Sequence, residues 1–228
     1  MEFISAVVAS LLAVIIAEGY RVLRNIIRNR SLRIALNLRT NACSIIAPIC
    51  AIKNEMDLIP HMDAYALSHM MELCLRIGVE PIIIPCTRPY DSFDSNDLIV
   101  IGGPSSNNFT SSYINRFIPT FSIVRESNKR GFMIGEKFLP QAKNEEYVFL
   151  VRFSDSELDQ NRSVHLLFGY SGEGTAASGY YFSKHYRSIA KKFGENSYCI
   201  AIKMIRGEGY KSVTNSILDL TDHIQSTD

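Results

Sequence analysis

Unbroken apolar runs separated by a helical pattern most limit how this chain can fold. EPIIIP (80–85) and DLIVIGG (97–103) are short and continuously apolar, as expected of strands covered on both faces. Ahead of them, over 57–77, Leu58, Met62, Ala66, Met70, Leu73 and Ile77 recur at three- and four-residue steps and stop at Gly78, which predicts an amphipathic helix. RIALNL (33–38) reads as an earlier strand, and a short helix follows over 110–117. Residues 121–151 break the pattern: SIVRES, GFMIGEKF and EYVFLVRF alternate with polar turns and read as a meander or flap. VHLLFGY (164–170), a helix over about 175–193, the strand YCIAIKMI (198–205) and a weakly patterned tail complete the chain. This order predicts an α/β class, a Rossmann-like three-layer domain over 33–228 with a mostly parallel sheet.

The first 33 residues obey different rules. Phe3 to Ala17 carries only Ser5 and Ser10 as polar members. At about 1.5 Å per residue this run spans roughly 22 Å, and extension through Tyr20, Val22 and Leu23 brings it close to a hydrocarbon layer of about 30 Å. Residues 1–23 therefore read as one transmembrane helix and 24–32 as a basic juxtamembrane linker. Glu2 precedes the run and the arginines follow it, the reverse of a signal peptide. The arginines predict a cell-membrane location with the N-terminus outside, the domain cytoplasmic and the lipid bilayer as a partner. Ala9, Ala13 and Ala17, with Ala6 and Ser10 beside them, have the small-residue spacing that lets helices associate into a homo-oligomer.

Charge sharpens the division. The chain's net charge is +1, yet Glu2 contributes −1 and residues 18–33, with five arginines and one glutamate, contribute +4, so residues 34–228 carry −2. A balance of that sign excludes a surface built to hold a DNA or RNA duplex. A chain 46% hydrophobic and 21% charged is also no disordered tail. Five cysteines, an odd number without a C-x-x-C pair, predict free thiols and no zinc finger.

Two strand exits are rich in glycine. After DLIVI come Gly102, Gly103, Pro104, Ser105, Ser106 and Asn107, which let a backbone approach a ligand and offer neutral hydrogen bonds. After VHLLF come Gly169, Tyr170, Ser171, Gly172, Glu173, Gly174 and Thr175, directly ahead of a helix whose free amides suit an anion. In open α/β sheets ligands bind beyond the carboxyl ends of the strands, so the two exits predict one shared nucleotide site. Sharper motifs fail. No acidic residue stands where a dinucleotide fingerprint needs one, Gly169-x-Ser171-Gly172-Glu173 misses a nucleophile elbow by one position, and there is no Walker lysine.

The Gly172-Glu173-Gly174-Thr175 loop after an apolar strand, with the Gly102-Gly103-Pro104 exit, resembles the SLOG group of Rossmann-like nucleotide-binding domains. More loosely, the layout is similar to CARF domains, which bind cyclic oligonucleotides. The resemblance implies a nucleotide-derived ligand, no required cofactor, and a role as sensor in a prokaryotic defence system. Hydrolytic members carry an acidic residue three positions after the motif, where this chain has Ser178.

The leading expectation is thus a membrane-anchored cytoplasmic sensor whose ligand bridges the loops at 102–108 and 169–175. A second is a membrane-anchored hydrolase that cleaves an N-glycosidic bond of a nucleotide or NAD, with Glu173 as its acidic residue. A third is a non-catalytic interaction scaffold. His61, Met62 and Asp63 at the start of the long helix are further candidates for ribose or base contacts, while His165, within a strand, reads as a packed histidine.

Overall fold

The structure, a computed structural model, describes residues 2–51, 57–88, 97–126, 129–155 and 162–225. Within the first helix the side chains of 2–13, 15, 25 and 28 lie outside the description. That helix, α1, is continuous over Glu2–Leu36. After it come β1 (Ala42–Ala47), a two-residue ladder of β2 (Cys50–Ala51) with β3 (Asp57–Leu58), and α2 (His61–Arg76). The middle of the chain holds β4 (Glu80–Pro85), β5 (Asp97–Ile101), α3 (Asn108–Phe117), β6 (Phe121–Glu126), β7 (Lys129–Ile134) and β8 (Lys137–Pro140). The last part holds β9 (Glu145–Asp155), β10 (Arg162–Gly169), α4 (Gly172–Phe193), β11 (Tyr198–Ile205) and β12 (Val213–Asp219).

Seven strands form one sheet in the order β12-β11-β9-β10-β5-β1-β4. Alternate residues face opposite sides, as period two requires. One side (Ile45, Ile99, Leu150, Leu167, Ile200) packs on α2, α4 and the last turn of α1. The other (Ile46, Leu98, Phe149, Leu166, Phe168) packs on α3 and a small antiparallel sheet of β6, β7 and β8. Three layers result, and the α/β class stands.

The mostly parallel sheet does not. β4, β1, β5 and β10 are parallel, but β9 is antiparallel to β10 and β11, and β12 is antiparallel to β11. Connection length is the cause. Only six residues, 156–161, join β9 to β10, and seven, 206–212, join β11 to β12, whereas a parallel crossover needs about a dozen or more. Burial on both faces reports the number of layers and says nothing of strand direction. EYVFLVRF accordingly belongs to the main sheet, and β6, β7 and β8 form the separate meander.

The membrane reading also needs correction. No helix among the described residues is long and apolar enough to cross a membrane. Where its side chains are described, α1 is interrupted by Glu18, Arg21, Arg24, Arg30 and Arg33. The expected linker at 24–32 is helical, and so is most of the expected strand at 33–38. Leu32, Ala35 and Leu36, at i, i+3 and i+4, are fully buried on the sheet, which is a helical footprint and not an alternating one. The single-pass topology and the membrane location inferred from it fall with the span. Ala6, Ala9, Ser10 and Ala13, cited for helix association, have side chains outside the description.

Two buried charges on β9 fix the helices to the sheet. Glu146 and Arg152 lie on the same strand face as Val148 and Leu150, at 0% and 1% exposure. Arg152 donates to the Ile34 and Ala35 carbonyls at 2.9 and 2.7 Å and to those of Gly194 and Asn196 at 2.7 and 2.5 Å. It thereby caps α1 and α4 together, with its guanidinium 4.9 Å from the centre of the Tyr198 ring. Nearby, Nε2 of the buried His165 lies 2.6 Å from the Leu36 carbonyl. Burial, with Arg152 adding to it, pushes this imidazole down to about 3, so it is neutral at pH 7 and donates to that carbonyl. At the opposite end of α4, Glu146 meets the first turn. A carboxylate at the N-terminus and a guanidinium at the C-terminus both match the helix dipole.

Candidate functional site

The carboxyl ends of β5 and β10 open into one cavity of about 310 Å³. Gly103, Pro104, Ser105 and Ser106 line it from the first exit, and Gly169, Tyr170, Ser171, Gly172 and Thr175 from the second. The two loops touch, since a Cβ on Gly103 would lie 3.1 Å from the Gly169 carbonyl oxygen. Gly102 makes the turn possible with φ +101°, a region where side chains are strained.

The remaining walls come from elements the sequence did not connect. Pro60, directly before α2, and Asp63, in its first turn, form one side. Ile123, Arg125 and Phe132 reach in from the β6–β7 hairpin. An aromatic cluster holds that hairpin in place: Phe132 meets Tyr170, Phe149 and Phe168 edge-on at 5.4, 4.9 and 6.2 Å. The Arg125 guanidinium donates to the Ser105 hydroxyl at the cavity rim.

Ser171 organises the α4 start. Its side chain caps the helix by accepting from the Gly174 amide at 3.1 Å, and its hydroxyl donates to Glu146 Oε1 at 2.8 Å. The Thr175 amide donates to the Ser171 carbonyl at 3.0 Å. The Gly172 amide, as the first in the helix, has no intrahelical carbonyl to meet, and it is the helix donor at the cavity wall. Beneath it Glu146 Oε2 lies 3.4 Å from Arg206 Nε. Burial raises the Glu146 carboxyl, against the pull of Ser171 and Arg206. Gly174 is obligatory on packing grounds, because a Cβ there would collide with Glu146 Oε1 and lie 3.1 Å from Gly169 Cα.

In comparison with known proteins, no family model and no curated protein matches this chain. The reading of the site therefore rests on its geometry.

Of the ligand-binding residues expected from sequence, Gly103, Ser105, Ser106, Gly169, Ser171, Gly172 and Thr175 line the cavity, while Gly102, Asn107 and Gly174 do not. Asn107 is 1% exposed and caps α3, accepting from the Phe109 amide at 3.0 Å and donating to the Ile101 carbonyl at 2.7 Å. Glu173, the expected catalytic acid, is not among the lining residues. Asp63 is: it is 5% exposed, its Oδ1 has no partner among the described residues, and burial pushes its carboxyl up to about 6, with Thr175 pulling the other way. His61 instead packs edge-on against Tyr65 at 5.1 Å, and Met62 would lie 3.2 Å from a Cβ on Gly172.

Arg125, Phe132 and Glu146 were missed. Glu146 had a readable signal, for it shares its period-two face with Val148 and Leu150. Arg125 had none, since its place depends on how the hairpin folds over the sheet.

Proposed function

We propose that the chain binds a phosphate-bearing, nucleotide-derived ligand in this cavity. One observation carries the reading: both strand exits, the start of α4 and the Arg125 guanidinium converge on a single cavity of about 310 Å³. Open helix amides favour anionic oxygens through direct hydrogen bonds and the helix dipole. Arg125 adds a planar, permanently charged donor, and Ser105 and Ser106 add neutral ones. The volume lies near the lower end of the range for small-molecule sites, which suits one sugar and one phosphate better than an extended dinucleotide. The G-x-G-T spacing at 172–175 agrees with this.

A glycosidic hydrolase that uses Glu173 draws no support from the arrangement, because Glu173 lies off the cavity and the carboxyl facing it is Asp63. Calorimetry of the full chain with inorganic pyrophosphate, ribose 5-phosphate, AMP, NAD and cyclic oligonucleotides tests the proposal. Saturable binding of at least one is expected, and heat of dilution alone across the panel would overturn it.

A further inference from the structure

The cavity is chemically divided. Arg125 and the open Gly172 amide at the start of α4 suit an anion. Asp63 does not, although it lines the same space. It sits beside Thr175, close to the α4 start, where Met62 packs against Gly172. With 5% exposure and Oδ1 lacking a partner among the described residues, its carboxyl has lost most of its water without a full set of protein donors. An orphaned buried acceptor is costly, and it is relieved by a ligand that brings its own donors. Arg125 is the other charged residue that lines the cavity, and it donates to Ser105, not to Asp63.

The ligand must therefore present an anionic group and, within the span of a small cavity, hydrogen-bond donors of its own. A ribose phosphate has this pattern: the phosphate accepts, and the vicinal 2′- and 3′-hydroxyls donate. We infer that Asp63 receives the ribose hydroxyls of a nucleotide whose phosphate rests on the first turn of α4. The inference builds on the proposed phosphate site and names the part of the ligand that selects it.

The test is calorimetry of the full chain with inorganic pyrophosphate, AMP and 2′,3′-dideoxy-AMP, on the wild type and on Asp63→Asn. Wild-type protein is expected to bind AMP at least about 10-fold more tightly than the dideoxy form, the factor set by losing a hydrogen bond to a charged group. Asp63→Asn is expected to bring AMP down to the dideoxy level and to leave dideoxy-AMP unchanged. Equal wild-type affinity for the two nucleotides would overturn the inference whether or not the variant folds. So would a variant that weakens both equally or neither. Pyrophosphate binding without nucleotide binding would sink the ribose assignment but keep the phosphate site; silence from all three would remove the phosphate site itself.

Discussion

Arg152 is the point at which the fold is most exposed to a single change. Its guanidinium, 1% exposed, satisfies four carbonyls at the ends of two helices: Ile34 and Ala35 of α1, and Gly194 and Asn196 after α4. Arg152→Leu keeps an apolar stem but leaves those carbonyls unmet. At about 1 kcal/mol or more for each buried acceptor, less the recovered cost of burying a charge, the net loss is about 3–5 kcal/mol. That is a large share of the roughly 5–15 kcal/mol by which ordinary domains are stable. Urea unfolding followed by circular dichroism reads it directly: with a slope of about 2 kcal/mol per M, the midpoint falls by about 2 M. Arg152→Lys is expected to recover only part, because one ammonium cannot reach both helix ends. Hydrogen exchange locates the effect, with amides of residues 32–36 losing protection first. A Leu variant within about 0.5 kcal/mol of wild type, or a Lys variant equal to it, would refute the reasoning.

Three other outcomes follow from the same geometry. Gly179→Ala places a Cβ 2.7 Å from Ala66 Cα, so α2 and α4 must separate; a loss of about 1–3 kcal/mol in urea unfolding is expected, together with weaker ligand binding as Asp63 moves off the cavity. Gly174→Ala is expected to push Glu146 off Ser171 and to abolish pyrophosphate binding in calorimetry while far-ultraviolet circular dichroism stays folded. Asp63→Asn bears on pH: the folded carboxyl titrates at about 6 and the unfolded one at 3.8, so the wild type gives up stability as pH rises through that interval. The Asn variant is therefore expected to be more stable than wild type at pH 8, by about 1–3 kcal/mol, with the gain gone below about pH 4.

Local patterns in the sequence carried far, and their failures share a cause. The helix read over 57–77 is α2 (His61–Arg76), and Gly78, with φ +75°, stops it. The strand YCIAIKMI is β11 residue for residue. RIALNL misled because Arg33-Ile34-Ala35-Leu36 satisfies a period of two as well as a helical one. The choice was made by partners distant in sequence, namely Arg152 and His165 on the sheet. β1 (Ala42–Ala47) was missed for the same reason, since ACSIIA has neither a clear alternation nor a long apolar run. Strand direction was open to reading through loop length, but burial gave a false lead. At the site, both glycine-rich exits were legible because glycine marks close backbone approach. The carboxyl facing the cavity was harder to choose: Asp63 and Glu173 each begin a helix, and only packing puts one of them inside.

Gly103→Asp reaches the central claim most directly. It adds a carboxylate where the two strand exits meet, against the Gly169 carbonyl, and lies away from the Arg152 caps at the other end of α4. Calorimetry with inorganic pyrophosphate is expected to show binding by the wild type and none by a folded Gly103→Asp protein. Equal binding by both, or none by the wild type, would contradict the assignment of this cavity as a phosphate site.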